Sequence, residues 1–377
     1  MNEQWIPLSV PDLTDTEAAA VAGAVDIVHD GRVSLSAIPA FESAIAELTG
    51  REQAVALSSG TAALHLGLIH LGARRGKLVL TSSMTFAATA NAIRYTGAEP
   101  IFIDSLLEDA NVDAELMLVA ADELTGAGHE VVAAVPVDLY GRCVDYTTLV
   151  PGLAERGIPL FCDAAESLGA AHHGRPAGSF GVAGAVSFNV NKLLTTLGGG
   201  MLVSDDADLI AHAHKLAHQA RENVAWYQHT EVGFNYRMSN IAAAVGTAQV
   251  ERLDHLMAGR RAVREAYAEG LADVPGLRVL GRRAGDGQDN CWLTTIVIEG
   301  RPFDPDAAID HLRSRGIEAR HLWKPMHQQP VFDGARSYLT GASDRLFAQG
   351  LNLPSSSTMD LADVARVVDA LRWVMAA

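Results

Sequence analysis

The chain has 377 residues, 49% of them hydrophobic and 20% charged, which excludes disorder, collagen and coiled coil and fits a globular protein of about two domains. Its 29 lysines and arginines against 45 aspartates and glutamates leave a formal net charge of −16, a surface that repels polyanions and acidic membranes. The basic clusters are short (Arg74-Arg75 with Lys77, Arg260-Arg261 with Arg264, Arg282-Arg283), so no nucleic-acid partner is expected, and no apolar run approaches the ~20 residues that span a bilayer.

At the N-terminus no lysine or arginine precedes Arg32, and Pro7, Pro11, Asp12 and Asp15 break the apolar stretch, so a secretory signal is not expected. From about residue 50 to 205 short β-branched runs alternate with helix-like segments, the pattern of α/β layers around a mostly parallel sheet. Strands are predicted over Gln53–Leu57, Lys77–Leu80, Pro100–Ile103, Val131–Val137, Pro159–Cys162 and Ala185–Phe188, with helices over Ala62–Leu71 and about Phe86–Tyr95. One long helix is predicted from Met238 to about Tyr267 as a connection between two domains. Beyond Val274-Pro275-Gly276 come a strand over Thr294–Ile298 and helices over Pro305–Arg315 and Leu361–Met375, a smaller α+β unit. The expected division is 1–255 and 256–377, with the N-terminal segment able to pack on the smaller unit. Cys143, Cys162 and Cys291 lie too far apart for a zinc site or a disulfide framework, and His172-His173 lacks further ligands nearby. Reduced thiols and a soluble, cytoplasmic protein without a metal are the expectation.

In open α/β sheets ligands bind beyond the carboxyl ends of strands, and three such ends carry chemistry. Ser58-Ser59-Gly60-Thr61 follows a strand and opens a helix, so backbone N–H groups, the helix dipole and hydroxyls converge where an anion would sit. A plain capping turn would read the same way. The spacing is neither a dinucleotide fingerprint nor a P-loop. Asp163 ends an apolar strand and is costly to bury unless a cation or several donors meet it. Lys192 stands among small and apolar residues just before Gly198-Gly199-Gly200, as an amine of lowered basicity would. A phosphate cradle, a carboxylate for a pyridine nitrogen and an amine for an aldehyde are together what pyridoxal phosphate needs.

With those residues stand the segments Ser59-Gly60-Thr61-Ala62-Ala63-Leu64, Asp163-Ala164-Ala165-Glu166-Ser167-Leu168-Gly169 and Ser187-Phe188-Asn189-Val190-Asn191-Lys192. Further along come Gly233-Phe234-Asn235-Tyr236-Arg237-Met238-Ser239-Asn240, Leu322-Trp323-Lys324-Pro325-Met326-His327 and Leu353-Pro354-Ser355. In kind and order these blocks resemble the DegT/DnrJ/EryC1/StrS family of sugar aminotransferases, over roughly residues 30 to 360. The resemblance implies fold type I of the pyridoxal phosphate enzymes: a large domain with a mostly parallel, seven-stranded type of sheet between helices, a smaller α+β C-terminal domain, and a homodimer with active sites at the interface. Lys192 would form the Schiff base with the cofactor and move the proton. Asp163 would pair with the pyridinium, Glu166 would lie near the phenolic oxygen and Phe86 would stack on the ring. Gly60, Thr61 and Ser187 would hold the phosphate, joined by Asn235 of the other subunit.

Arg237, Lys324 and His327 are the candidate substrate contacts, and with Lys192 and the helix start at Thr61 they would form the cationic site an acidic protein needs for phosphorylated ligands. Two departures bear on specificity. Val190 stands where relatives often have a small residue, and Ser34-Leu35-Ser36-Ala37-Ile38-Pro39 replaces the usual glycine-proline turn near the substrate. The implied reaction moves an amino group from L-glutamate, through the pyridoxamine form, to C4 of a nucleotide-linked 4-keto-6-deoxy sugar, a UDP-linked N-acetyl sugar among the options. A keto-cyclitol or other small ketone is the alternative substrate, and a non-catalytic regulatory protein the alternative role. A dehydratase of the same scaffold would carry histidine at position 192, where this chain has lysine.

Overall fold

The computed structural model describes residues 4–29, 37–281 and 288–376. Arg282-Arg283 and Ser34-Leu35-Ser36 of the departure at 34–39 lie outside the described residues, while Ala37-Ile38-Pro39 open a helix. Two helices, α1 (Asp15–His29) and α2 (Ala37–Thr49), precede the first strand. Then follow β1 (Gln53–Leu57), α3 (Gly60–His70), β2 (Leu78–Ser82), α4 (Ala87–Tyr95), β3 (Glu99–Ile103), α5 (Ala114–Gly126), β4 (Val131–Val135), α6 (Tyr146–Glu155) and β5 (Phe161–Asp163). A small hairpin, β6 (Ala171–His172) and β7 (Arg175–Pro176), leads to β8 (Ala183–Ser187), β9 (Gly200–Ser204), α7 (Ala207–Ala217), α8 (Asn240–Val250) and α9 (Leu253–Gly270).

The main sheet runs β1-β9-β8-β5 and, through bridges Ala134↔Leu160 and Val137↔Asp163, on to β4-β2-β3. Only β9 is antiparallel to its neighbours, so the sheet is mostly parallel, as fold type I requires. Its strands are apolar on both faces because helices cover both. Val79 packs with α3, α4 and α7, whereas its neighbours Leu78 and Leu80 face α5 and α6, the period-2 alternation of a pleated strand. Helix α3 lies so close to the sheet that a Cβ at Gly67 would sit 2.5 Å from the Phe161 ring.

The predicted helix from Met238 to Tyr267 is two helices, broken at Glu251-Arg252. The bend turns Arg252 onto Asp12 (2.7 Å) and Glu17 (2.9 Å), while Gln249 Nε2 donates to the Asp12 carbonyl and Glu17, so docking of the N-terminal segment overrides continuous helical periodicity. Downstream, β10 (Leu277–Val279), β11 (Thr294–Ile298), α10 (Pro305–Ser314), β12 (Arg320–His321), β13 (Ser337–Tyr338), α11 (Ala342–Gln349), β14 (Gly350–Leu353) and α12 (Leu361–Ala376) complete the chain. A second sheet, β10-β11-β14-β12, packs with α9, α10 and α12, and Ile6 pairs with Ile317 beside it. Strand β13 returns to the edge of the main sheet beside β3, which brings the segment containing Trp323 over the strand ends.

Candidate active site

The carboxyl ends of β1, β2, β5 and β8 open into one cavity of about 280 Å³, lined by Gly60, Thr61, Phe86, Asp163, Glu166, Ser187 and Lys192 among others. These distant residues share a wall because parallel strands end on the same edge. A larger groove, about 750 Å³, lies elsewhere around Leu271, Leu277 and Arg278, but it offers no nucleophile and its Arg278 is engaged by the Leu107 and Glu108 carbonyls and by Glu299.

The turn after β1 is built for close approach. Ser59, in extended backbone, caps α3 by accepting from Ala62 N at 3.1 Å. The first N–H groups of a helix have no partner within it, which leaves those of Gly60 and Thr61 for a ligand in the cavity. A Cβ at Gly60 would stand 2.9 Å from that of Ser187, and one at Gly200 would stand 2.3 Å from Gly60 N. Glycine at both positions lets the helix start, β8 and β9 meet as bare backbone.

Asp163 is 2% exposed; its Oδ2 accepts from Thr89 Oγ1 at 2.7 Å and its Oδ1 from Ala165 N at 3.1 Å. Burial raises its pKa to about 6 against the pull of those two hydrogen bonds, so a cation placed beside it would restore the carboxylate. Lys192 Nζ lies 3.5 Å from Glu166 Oε1 and 3.8 Å from the centroid of the Trp292 ring. Burial lowers its pKa, opposed by Glu166 and Asp163, which raises the neutral, nucleophilic fraction of the amine. Glu166 is held by its other oxygen, which accepts from Tyr140 N at 2.8 Å. Phe86 is 56% exposed at the start of α4, with its ring 5.5 Å from that of Trp323. Helix N-terminus, buried acid, desolvated amine and exposed ring match what pyridoxal phosphate requires.

Four residues without an expected role complete the wall or hold it. Thr89 orients Asp163 and Tyr140 orients Glu166. Trp292 lies under Lys192, and Trp323 stacks on Tyr140 at 5.9 Å while its backbone N–H donates to Tyr140 Oη at 2.7 Å. No signal in the sequence near Thr89, Tyr140 or Trp292 marks them; Trp323 was within a motif but carried no role.

The expected cationic site does not assemble within one chain. Asn235 is exposed and bridges His218, away from the cavity wall. Arg237 is exposed and lines a separate hollow with Glu42 and Met238. Lys324 is exposed and off the wall, and His327 uses both ring nitrogens inside the protein, on Ser83 Oγ (2.7 Å) and Asp344 Oδ1 (2.8 Å). The backbone places these four where their own chain's cavity does not reach, and for His327 packing has already engaged the donors. Cys143, Cys162 and Cys291 are free and buried. Among the described residues no group of three histidine, cysteine or acidic side chains could hold a metal ion, and no helix is long and apolar enough to cross a membrane.

The model of the DegT/DnrJ/EryC1/StrS aminotransferase family matches residues 17–372. EpsN of Bacillus subtilis (strain 168), provisionally named a pyridoxal phosphate-dependent aminotransferase, is 42% identical over 89% of this chain and 87% of its own length. The GDP-perosamine synthase of Caulobacter vibrioides is 33% identical over 98% of both chains. The crystal structure of a DegT DnrJ EryC1 StrS aminotransferase from Brucella abortus superposes with a TM-score of 0.87 at 28% identity, covering 95% of each chain. This chain therefore belongs to the DegT/DnrJ/EryC1/StrS aminotransferase family and is a pyridoxal phosphate-dependent aminotransferase.

Proposed function

We propose that the protein transfers the amino group of L-glutamate to the C4 keto group of a nucleotide-linked 4-keto-6-deoxy sugar. The observation that carries the reading is the placement of a desolvated Lys192 between Glu166 and Trp292 in the cavity that also holds Asp163 and the α3 N-terminus. Similarity over nearly its whole length to a GDP-perosamine synthase supports a nucleotide-linked sugar, and the motif blocks around Asn235 and Trp323 support C4. The cofactor, when bound, supplies the electron sink that lets a proton leave the carbon bearing nitrogen. Lys192 Nζ carries that proton, Asp163 meets the ring nitrogen, Glu166 and Phe86 orient the ring, and Gly60, Thr61 and Ser187 bind the phosphate. Asn235 joins the phosphate from the second subunit of a homodimer, and Arg237, Lys324 and His327 are the candidate substrate contacts. Residues 1–255 form the cofactor-binding unit and 256–377 the smaller one, a division supported by the separate sheet β10-β11-β14-β12, with β13 crossing back to the main sheet. Small soluble substrates support a cytoplasmic location.

The test supplies purified protein with glutamate and a panel of GDP-, TDP- and UDP-linked 4-keto-6-deoxy sugars plus a keto-cyclitol, following 2-oxoglutarate and the aminated product. Amination of one nucleotide sugar at C4 is expected. Turnover of the cyclitol alone, or of none, overturns the reading. In parallel, Lys192→Ala must lose the visible band and the borohydride reactivity of the wild type; a variant that keeps both removes Lys192 from its assigned role.

A further inference from the structure

Helix α9 supplies nothing to the cavity wall, yet hydrogen bonds tie it to the backbone just before Lys192. Arg260, in the middle of α9, is 1% exposed, and its hydrogen-bond acceptors are two carbonyls and a hydroxyl, with no carboxylate among the described residues. Its Nη1 donates to the carbonyls of Trp292 (2.6 Å) and Ser355 (2.8 Å), and its Nη2 donates to Ser9 Oγ (3.1 Å). Its Nε has no partner among the described residues, and burial pulls its pKa down to about 10. Asp12 opposes that shift only from a distance, as no carboxylate among the described residues accepts from the guanidinium, and a buried charge without a paired counter-ion costs several kcal/mol. Its fork holds three acceptors from three separate segments at once, which an apolar side chain could not do.

Two links run from it to one atom. Ser9 Oγ, which accepts from Arg260, donates to the Asn191 carbonyl at 2.9 Å. Trp292, whose own carbonyl Arg260 holds, donates Nε1 to the same Asn191 carbonyl at 2.6 Å. Asn191 directly precedes Lys192, and Lys192 Nζ rests on the Trp292 ring.

We propose that Arg260 is a positioning residue for Lys192: it fixes Ser9 and Trp292 so that both donate to the Asn191 carbonyl, setting the backbone from which the lysine reaches and the ring face on which it lies. This rests on the assignment of Lys192 as the residue joined to the cofactor. A merely structural arginine would hold the N-terminal segment and the Ser355 turn, and the chemistry of Lys192 would not depend on the two donors.

The holoenzyme distinguishes the two. Ser9→Ala and Trp292→Phe each delete one donor to the Asn191 carbonyl while leaving Arg260 in place, and Ser9→Thr keeps the hydroxyl. The measurements are the melting temperature, the single-turnover absorbance change with glutamate as a function of glutamate concentration, and the pH midpoint of the visible band. For the double variant Ser9→Ala/Trp292→Phe a ~10-fold slower single turnover is expected, as for a small misplacement of a reacting group, with half-saturating glutamate unchanged. Its pH midpoint and that of Arg260→Lys should move, and those of Ser9→Thr should not. A double variant with wild-type rate and midpoint overturns the proposal, even where Arg260→Lys melts early. Borohydride reduction of the wild type followed by peptide mapping should label Lys192. A label on another lysine overturns both the site assignment and the brace, whereas a label on Lys192 beside a wild-type double variant overturns the brace alone.

Discussion

Asp163 is a carboxyl group that the protein alone does not stabilise as an anion. Two hydrogen bonds reach it, yet burial still holds its pKa at about 6, above the usual 3.8, and Asp138 next to it, with Val144 N, Ser167 and Tyr146 as donors, is raised to about 6 by burial as well. A carboxyl whose pKa is higher folded than unfolded binds more protons in the folded state between the two values, so its contribution is present below about pH 4 and is lost as pH rises to 6. In protein stripped of cofactor, Asp163→Asn should therefore be more stable than wild type at pH 7.5 by an amount on the order of 1–3 kcal/mol, the gain fading as pH falls toward 4. Urea unfolding across that range checks it, and a variant less stable than wild type at pH 7.5 contradicts it. With cofactor bound the same substitution should lose most activity, because the site's acid partner is gone. The sequence made Asp163, Glu166 and Lys192 legible through their motifs. Thr89 and Trp292 were not, because Thr89 is 74 residues from the acid it orients and Trp292 acts on Lys192 across 100 positions, separations that no local pattern encodes.

At the scale of elements, turn chemistry that lies next to its helix was readable and turn chemistry supplied from afar was not. Ser59 announces α3 from the preceding position. Helix α11 is preceded by Gly341 at its N-cap, whose φ of 87° suits glycine but which offers no capping side chain. The cap comes from Asp104 at the end of β3: its oxygens accept from the backbone N–H groups of Thr340, Gly341, Ala342 and Ser343 at 2.7–3.1 Å. Burial opposes the charge, but hydrogen bonds from Ser343 and from the backbone N–H groups of Ser105 and Thr340 outweigh it and bring the pKa down to about 2. A carboxyl with a pKa lowered on folding contributes stability above about pH 4 that is lost as pH falls to 2. Asp104→Asn should cost on the order of 3 kcal/mol at neutral pH, with the difference from wild type shrinking at pH 2–3, as read by denaturant unfolding. A constant difference across pH would show that packing and not charge fastens α11. Because Asp344 of this helix holds His327, loosening α11 should also disturb the Trp323 segment over the cavity.

At the scale of the molecule the site is assembled by the sheet and left open at one side. Asn235 does not line the cavity of its own chain, and exposed apolar side chains nearby, Trp226 (63%), Tyr227 (79%) and Val232 (83%), suit a covered face. If Asn235 acts across a dimer, Lys192→Ala and Asn235→Asp, each inactive alone, should complement when mixed and re-associated. A hybrid dimer then has one site with both native residues, about a quarter of all sites in an equal mixture. Activity near that level is expected; none would place Asn235 in its own chain's site or outside it.

What the sequence determined by itself is local: alternating strands and helices, the capping turn before α3, the acid and lysine at strand ends, and enough ordered motifs to identify the family and its cofactor. Periodicity and turn residues act within a few positions, so they survive reading one residue at a time. What only the tertiary structure decided is non-local. The strand order β1-β9-β8-β5-β4-β2-β3 brings the cofactor motifs to one cavity, the N-terminal segment breaks the long helix at Arg252, and packing leaves His327, Arg237 and Lys324 off the wall of their own chain's cavity. Such outcomes depend on which surfaces meet, and burial and hydrogen-bond satisfaction settle that only once the whole chain is packed.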